Sequence, residues 1–236
     1  MKEKIKSSFS RAATTYNSVS EAQVLSSAFL AQTVRESLPF ALQKILDIGC
    51  GTGHTSLEFM KIWPNADYTL CDISENMIAE ARLRIEKAEY IVGDAEKYEF
   101  TENYDLGISN LTLQWFESWE AFPEKILKIC RRFAFSTISD GSFRDYKKIL
   151  AERGISLPPL PSAEELKRVC EKHGLIRCQT RSHNMLFENS FALARYFKKL
   201  GAATTSFGAK NILSLPGNHS VNLNYEMFFA VCGSPF

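Results

Sequence analysis

Apolar residues along this chain follow two rhythms, and the switches between them lay out its elements. Over residues 1–43 the rhythm is helical: Val24, Leu25, Phe29, Val34 and Leu38 recur at three- to five-residue steps, and Pro39 ends the run. Short unbroken apolar runs then alternate with amphipathic stretches. Lys44-Ile45-Leu46-Asp47-Ile48 reads as a buried strand, and its glycine-rich exit opens a helix through Leu57, Phe59, Met60 and Ile62 that stops near Pro64. Residues 68–72, 89–92, 104–109 and 132–138 read as four further strands. Ser74 caps a helix through Met77 and Ile78, and a helix rich in Phe122, Ile126, Leu127 and Ile129 precedes the fifth strand. Strands alternating with helices at this spacing predict βαβ units and a parallel sheet.

After residue 140 the rhythm changes. Residues 142–153 read as a helix, and 155–161, with three prolines, as a linker or lid. Ser162 caps a helix that runs to His173 and is closed by Gly174. Residues 176–185 read as a strand, 191–201 as a helix and 226–233 as an apolar strand, so an antiparallel edge is expected. The predicted fold class is α/β: one Rossmann-like, doubly wound, seven-stranded sheet, mostly parallel, in a single domain over 1–236. It carries an N-terminal helical cap (1–43) and a helical insertion over roughly 187–222.

Composition narrows this without redirecting it. At 236 residues, 45% hydrophobic and 23% charged, the chain can bury a full core, and its net charge of +1 offers no field for nucleic acid. No apolar run approaches the roughly 20 residues of a membrane span. The N-terminus lacks the apolar stretch of a signal peptide, so a cytoplasmic protein is expected, with no membrane or nucleic-acid partner. Six cysteines without CxxC pairs read as reduced thiols, and four histidines share no metal-ligand spacing, so no metal site is expected.

The sharpest chemical signal is Asp47-Ile48-Gly49-Cys50-Gly51-Thr52-Gly53. Glycines after a strand allow a tight turn and close backbone approach by a ligand. A dinucleotide fingerprint fails here, because its third glycine position holds His54. The alternating D-x-G-x-G-x-G arrangement instead resembles motif I of class I methyltransferases, whose cofactor is S-adenosylmethionine. Asp72 ends the second strand, where a carboxylate can accept both ribose hydroxyls. Asp94, with Ala95 beside it, ends the third and, on the resemblance, faces the adenine amino group. Singly, Asp72 reads as a helix-capping acid and Asp94 as a turn former. Their order on successive strand ends is what points to a ligand. On the same resemblance residues 44–140 form the cofactor-binding half, with Asp47, Gly49, Cys50, Gly51, Gly53, Ile73, Met77 and Asn110 as further contacts, and 141–236 the substrate side. The Asn/Asp-Pro-Pro-Tyr/Phe signature of nucleic-acid amino methylases is absent after the fourth strand.

Several segments resemble one family closely, the malonyl-acyl-carrier-protein O-methyltransferases of biotin synthesis. They are Phe9-Ser10-Arg11-Ala12-Ala13-Thr14-Thr15-Tyr16 with Gln23 following, Ser109-Asn110-Leu111-Thr112-Leu113-Gln114-Trp115, Phe135-Ser136-Thr137, Arg195-Tyr196-Phe197-Lys198-Lys199-Leu200-Gly201-Ala202 and Asn224-Tyr225-Glu226-Met227-Phe228. The chain departs from the family pattern at three places. Cys130-Arg131-Arg132 replaces a Pro-Gly-Gly turn, Tyr196-Phe197 a Ser-Leu pair, and Asn224 a threonine.

The resemblance implies methyl transfer to the free carboxylate of a malonyl thioester. That nucleophile, with a reference pKa of about 4, is ionised at neutral pH, so no general base is sought. What such a site needs is groups to hold a carboxylate. Arg195 is the first candidate and Arg11 the second, since a guanidinium matches two oxygens. Tyr16, Gln114 and Trp115 are candidates to line the acceptor pocket. The expected partner is acyl carrier protein, with coenzyme A as the other conceivable malonyl carrier. Lys198-Lys199, Lys210, Arg131-Arg132 and Lys147-Lys148 are candidate docking charges for an acidic carrier. Two readings compete: a methyltransferase of another small acceptor (a quinone precursor or a free acid), and a cofactor-binding protein without turnover.

Overall fold

The computed structural model describes residues 2–38, 40–152, 154–202 and 220–233. Its strands are β1 (Lys44–Ile48), β2 (Asp67–Asp72), β3 (Glu89–Val92), β4 (Tyr104–Asn110), β5 (Cys130–Ile138), β6 (Leu175–Phe187) and β7 (Val221–Cys232). They form one seven-stranded sheet in the order β3-β2-β1-β4-β5-β7-β6. The first five strands pair in parallel, and β7 runs antiparallel between β5 and β6, as expected of a doubly wound sheet with an antiparallel edge. The strand order reverses between β1 and β4, and ligands in such sheets sit at that switch point, beyond the carboxyl ends of the strands.

Side chains on a strand alternate between faces, and the core divides accordingly. On β7, Leu223, Tyr225, Met227, Phe229 and Val231 join one buried cluster, while Phe228, Ala230 and Cys232 join the other. The first cluster takes in α2 (Glu21–Ser37), α3 (His54–Met60), α4 (Glu75–Arg84), α6 (Arg144–Ala151) and α8 (Ser190–Lys199). The second takes in α5 (Phe122–Ile126) and α7 (Ala163–Lys172). Ser162 starts α7 with a full capping box, its hydroxyl accepting from the Glu165 N–H while Glu165 reaches back to the Ser162 N–H.

Four details differ from the sequence reading. The N-terminal cap is two helices, α1 (Lys2–Tyr16) and α2, because the polar turn at Asn17–Ser20 breaks the run. α5 is shorter than its apolar residues suggested, since Leu127 and Ile129 belong to turns leading into β5. α6 starts later, after a left-handed Phe143 (φ 63°). β7 starts at Val221, not near 226: Asn222 and Asn224 hide the strand from an apolar count, yet both pair with β6. Pro39, Arg153, and the parts of the insertion over 203–219, including Lys210, lie outside the described residues.

Helix α1 lies across the carboxyl ends of the sheet. The Ser10 hydroxyl shares a 2.8 Å hydrogen bond with Ser74, Asn76 donates to the Ser10 carbonyl, and Thr15 donates to the Lys199 carbonyl at the end of α8. Gly201 makes the α1–α8 junction possible: its φ is +76°, and a β-carbon there would fall 2.9 Å from the Phe9 ring and 3.1 Å from the Ala12 β-carbon. Gly201→Ala therefore combines backbone strain with a clash. It is expected to cost about 1–3 kcal/mol and to raise hydrogen exchange in α1 more than in the β1–β4 centre. Unchanged Tm and α1 protection would contradict this packing.

Candidate active site

The ends of β1, β2, β3, β4 and β5 converge, with α1 and α8, on one open pocket of about 1050 Å³, its solvent-filled mouth included. The glycine loop forms its floor. The Gly49 and Cys50 N–H groups both donate to the Cys71 carbonyl, at 2.7 and 3.0 Å, locking the loop to β2. Gly49 has no room for a side chain, because a β-carbon would lie 2.3 Å from Thr112 Cγ2. Gly51, also at positive φ, would place a β-carbon in open space on the cavity side, so this stretch of backbone can be approached closely.

Asp72 ends β2 half-buried, its carboxylate at the cavity. Oδ2 accepts from the Gly51 N–H at 2.9 Å and Oδ1 from the Ser74 N–H at 2.8 Å. Each oxygen keeps a lone pair for a ligand. Burial pushes its pKa up to about 6 against the pull of these two N–H donors. Asp94, past β3, is held differently. Oδ1 accepts from the Glu96 N–H and from the Lys2 ammonium at 3.3 Å, and Lys2 also reaches Glu96 at 2.5 Å and lies 4.5 Å from the Phe116 ring centre. Lys125 fastens the turn from beneath, donating to the carbonyls of Ala95, Glu96 and Tyr98.

Of the cofactor candidates, Gly49, Gly51, Asp72, Ile73, Met77, Asp94, Ala95 and Asn110 line the cavity. Asp47, Cys50 and Gly53 do not. Asp47 is buried behind the loop, where Oδ2 accepts from Ser56 Oγ at 2.6 Å and Oδ1 has no partner. Burial, with the nearby Asp72 charge adding, pushes it up to about 7. Cys50 is a buried thiol, and Gly53 gives the chain room beside Ile85. His54 is pushed down to about 4 by burial and by Arg84. Its Nδ1 accepts from Arg84 and its Nε2 donates to Asn17, which ties the α1–α2 turn to the loop.

Of the acceptor candidates, Tyr16, Gln114 and Trp115 line the cavity. Gln114 is braced, donating to the Leu111 carbonyl at 2.7 Å and accepting from Thr137 at 3.1 Å. Arg195 and Arg11 are exposed on α8 and α1 and do not line it, because the inward faces of those helices carry Phe197, Leu200, Ile5 and Phe9 instead. Sequence reading did not place Lys2, Phe143 or Phe197 in the site. Among the described residues, the non-glycine positions at positive φ are Leu111 (49°) and Phe143 (63°), and both line this cavity. Such strain gathers where a site dictates backbone shape. No group of three His, Cys, Asp or Glu side chains among the described residues is placed to hold a metal, and no described helix is long and apolar enough to cross a membrane.

Comparison with known proteins agrees with this geometry. A family model described as a methyltransferase domain matches residues 45–133. A malonyl-[acyl-carrier protein] O-methyltransferase of Priestia megaterium is 31% identical over 185 residues, covering 72% of this chain and 68% of that protein. Proteins of the same name from Herminiimonas arsenicoxydans (35%, covering 70% and 62%) and Neorickettsia risticii (29%, covering 84% and 81%) also match. Among solved structures, a methyltransferase from Bacillus halodurans aligns with TM-score 0.63 at 16% identity, over 88% of this chain and 99% of its own. The plantazolicin methyltransferase BpumL aligns at 0.54 and 16%, over 99% and 90%. These two establish the fold.

The two raised carboxyls give a pH prediction. A carboxyl whose folded pKa is raised keeps its proton longer in the folded chain, so its contribution to stability falls as pH rises from 3.8 to the raised value. His54, lowered, acts with the opposite sign, so the difference between variants is the clean readout. The Tm of ligand-free Asp47→Asn, relative to wild type, should climb as pH rises from 3.8 to about 7 and then level off. A pH-independent difference would contradict the burial of this carboxyl.

Proposed function

The chain belongs to the malonyl-[acyl-carrier protein] O-methyltransferase family, and we propose that it methylates the free carboxylate of malonyl-acyl carrier protein, giving the methyl ester that begins pimelate assembly for biotin. The methyl donor is S-adenosylmethionine, which supplies a methyl group on a positively charged sulfur. The observation that carries the reading is the pairing in one cavity of the Gly51–Asp72 cradle with an aromatic end built by Tyr16, Trp115, Phe143 and Tyr225. The residues present fit the donor. Gly51 offers open backbone, Asp72 has a free lone pair on each oxygen for vicinal hydroxyls, and Asp94 stands at the end of the next strand. Gln23 Oε1, buried in the cavity wall without a partner, is an acceptor for an ammonium group.

The residues here do little proton chemistry. A malonyl carboxyl is already ionised at neutral pH, so no general base is required. The walls of this pocket serve to orient the carboxylate and the sulfonium toward each other. Carrier docking falls to basic side chains on the outer faces of the helices whose inner faces line the cavity: Arg195, Lys198 and Lys199 on α8 with Arg11 on α1, all exposed.

Intact-mass analysis tests the reaction. Malonyl-carrier incubated with the protein and S-adenosylmethionine should gain the mass of one methyl in place of hydrogen, and acetyl-carrier should gain nothing. No gain on malonyl-carrier, with the donor shown to bind, would overturn the assignment. Docking is tested separately. Lys198→Glu/Lys199→Glu should raise KM for the malonyl-carrier about tenfold at low salt, an effect that shrinks as salt is added. An unchanged KM would remove α8 from the docking surface.

A further inference from the structure

The acceptor end poses a chemical question: what receives a carboxylate there? Lys2 is the one lysine or arginine in the wall among the described residues, and its ammonium is committed to Asp94 and Glu96. Arg195 and Arg11 face solvent. Building on the carboxyl-transfer reading, we propose that the malonyl carboxylate is received by the phenol of Tyr225, which Tyr196 backs with a hydrogen bond.

Tyr196 and Tyr225 share a buried hydroxyl–hydroxyl hydrogen bond of 2.9 Å. Tyr225 lines the cavity, while Tyr196 stands behind it. Either hydroxyl can be the donor in this bond. A carboxylate only accepts, so one bound at Tyr225 takes the Tyr225 proton and leaves the Tyr225 oxygen to accept from Tyr196. Burial raises all three tyrosines of this end, Tyr16 included, so each stays a neutral donor through the physiological range.

The Tyr225 ring is held in place. Phe143 meets it edge-on, with centroids 5.1 Å apart. The left-handed turn that aims Phe143 inward is clamped by the neighbouring Asn224. Its carbonyl accepts from the Phe143 N–H, its Oδ1 from the Arg144 N–H, and its Nδ2 donates to the Gly141 carbonyl, each at 2.7 Å.

A neutral donor also suits the reaction better than a guanidinium. Methyl transfer from a sulfonium to a carboxylate consumes one positive and one negative charge. A fixed cation would hold the ionised acceptor more tightly than the charge-depleted transition state, and interactions stronger in the ground state slow the chemical step. A phenol loses far less as the carboxylate charge fades. The expelled thioether is neutral and the ester forms without a proton changing hands.

The test uses full-length wild type, Tyr225→Phe, Tyr196→Phe and Arg195→Gln. Dissociation constants are measured for malonyl-carrier and for unacylated carrier, with S-adenosylhomocysteine present. Tyr225→Phe should weaken malonyl-carrier binding about tenfold or more and leave unacylated carrier unchanged, so the malonyl preference drops. Tyr196→Phe, which leaves the Tyr225 phenol in place, should lower that preference by a smaller factor, covering the case in which Tyr225→Phe fails to fold. Arg195→Gln should weaken both carriers by the same factor. An unchanged preference in both tyrosine variants, or its loss in Arg195→Gln, overturns the phenol clamp. Wild-type turnover separates the two failures: no methyl transfer to malonyl-carrier overturns the reaction assignment itself, whereas transfer with an unchanged preference in the tyrosine variants overturns only the clamp.

Discussion

The site hangs on one half-buried carboxylate. Asp72 sits at the end of β2, with no salt bridge to a cation among the described residues, held by the backbone N–H groups of Gly51 and Ser74. Those two bonds join the glycine loop after β1 to the first turn of α4, so the loop, the strand end and the helix cap have one shared shape. Ser74 then caps α4 through the Met77 N–H and shares a hydrogen bond with Ser10 of α1, which carries the same constraint into the helix that roofs the cavity. A carboxylate satisfied by neutral donors keeps its charge available to a ligand, whereas one paired to lysine spends it. Asp94 is the contrasting case, already engaged by Lys2.

The half of the site around Asp72 was legible in the sequence because its causes are local. Gly49, Gly51, Asp72 and Asp94 follow strand ends, and the strands themselves read as apolar runs. What the sequence could not separate was wall from support. Asp47, Cys50 and Gly53 belong to the same motif, yet they act from behind the loop through Ser56, burial and Ile85. The acceptor half was less legible because it is assembled from afar. Phe143 enters the wall through a left-handed turn set by Asn224, some eighty positions away, and no local pattern signals it. Nothing local singles out Lys2, although the roofing helix carries it to Asp94. The mostly parallel sheet and its antiparallel edge were readable, but the polar face of β7 hid that strand's first residues.

Two of the three departures from the family pattern fall at the acceptor end, and the third, Cys130-Arg131-Arg132, lies at the start of β5. Tyr196 hydrogen-bonds Tyr225, Phe197 lines the cavity, and Asn224 fixes the turn bearing Phe143. The cofactor end keeps the pattern. This division fits the physics of the two halves: the first must match a ligand common to many enzymes, and the second shapes the wall around one acceptor.

In the proposed reaction no proton moves in the chemical step, because the acceptor arrives ionised and the site supplies alignment and a cation-poor wall. The most direct test is single-turnover methyl transfer from bound S-adenosylmethionine to malonyl-carrier in H2O and in D2O. Equal rates are expected. A clear slowing in D2O would contradict this, placing a general base in the rate-determining step.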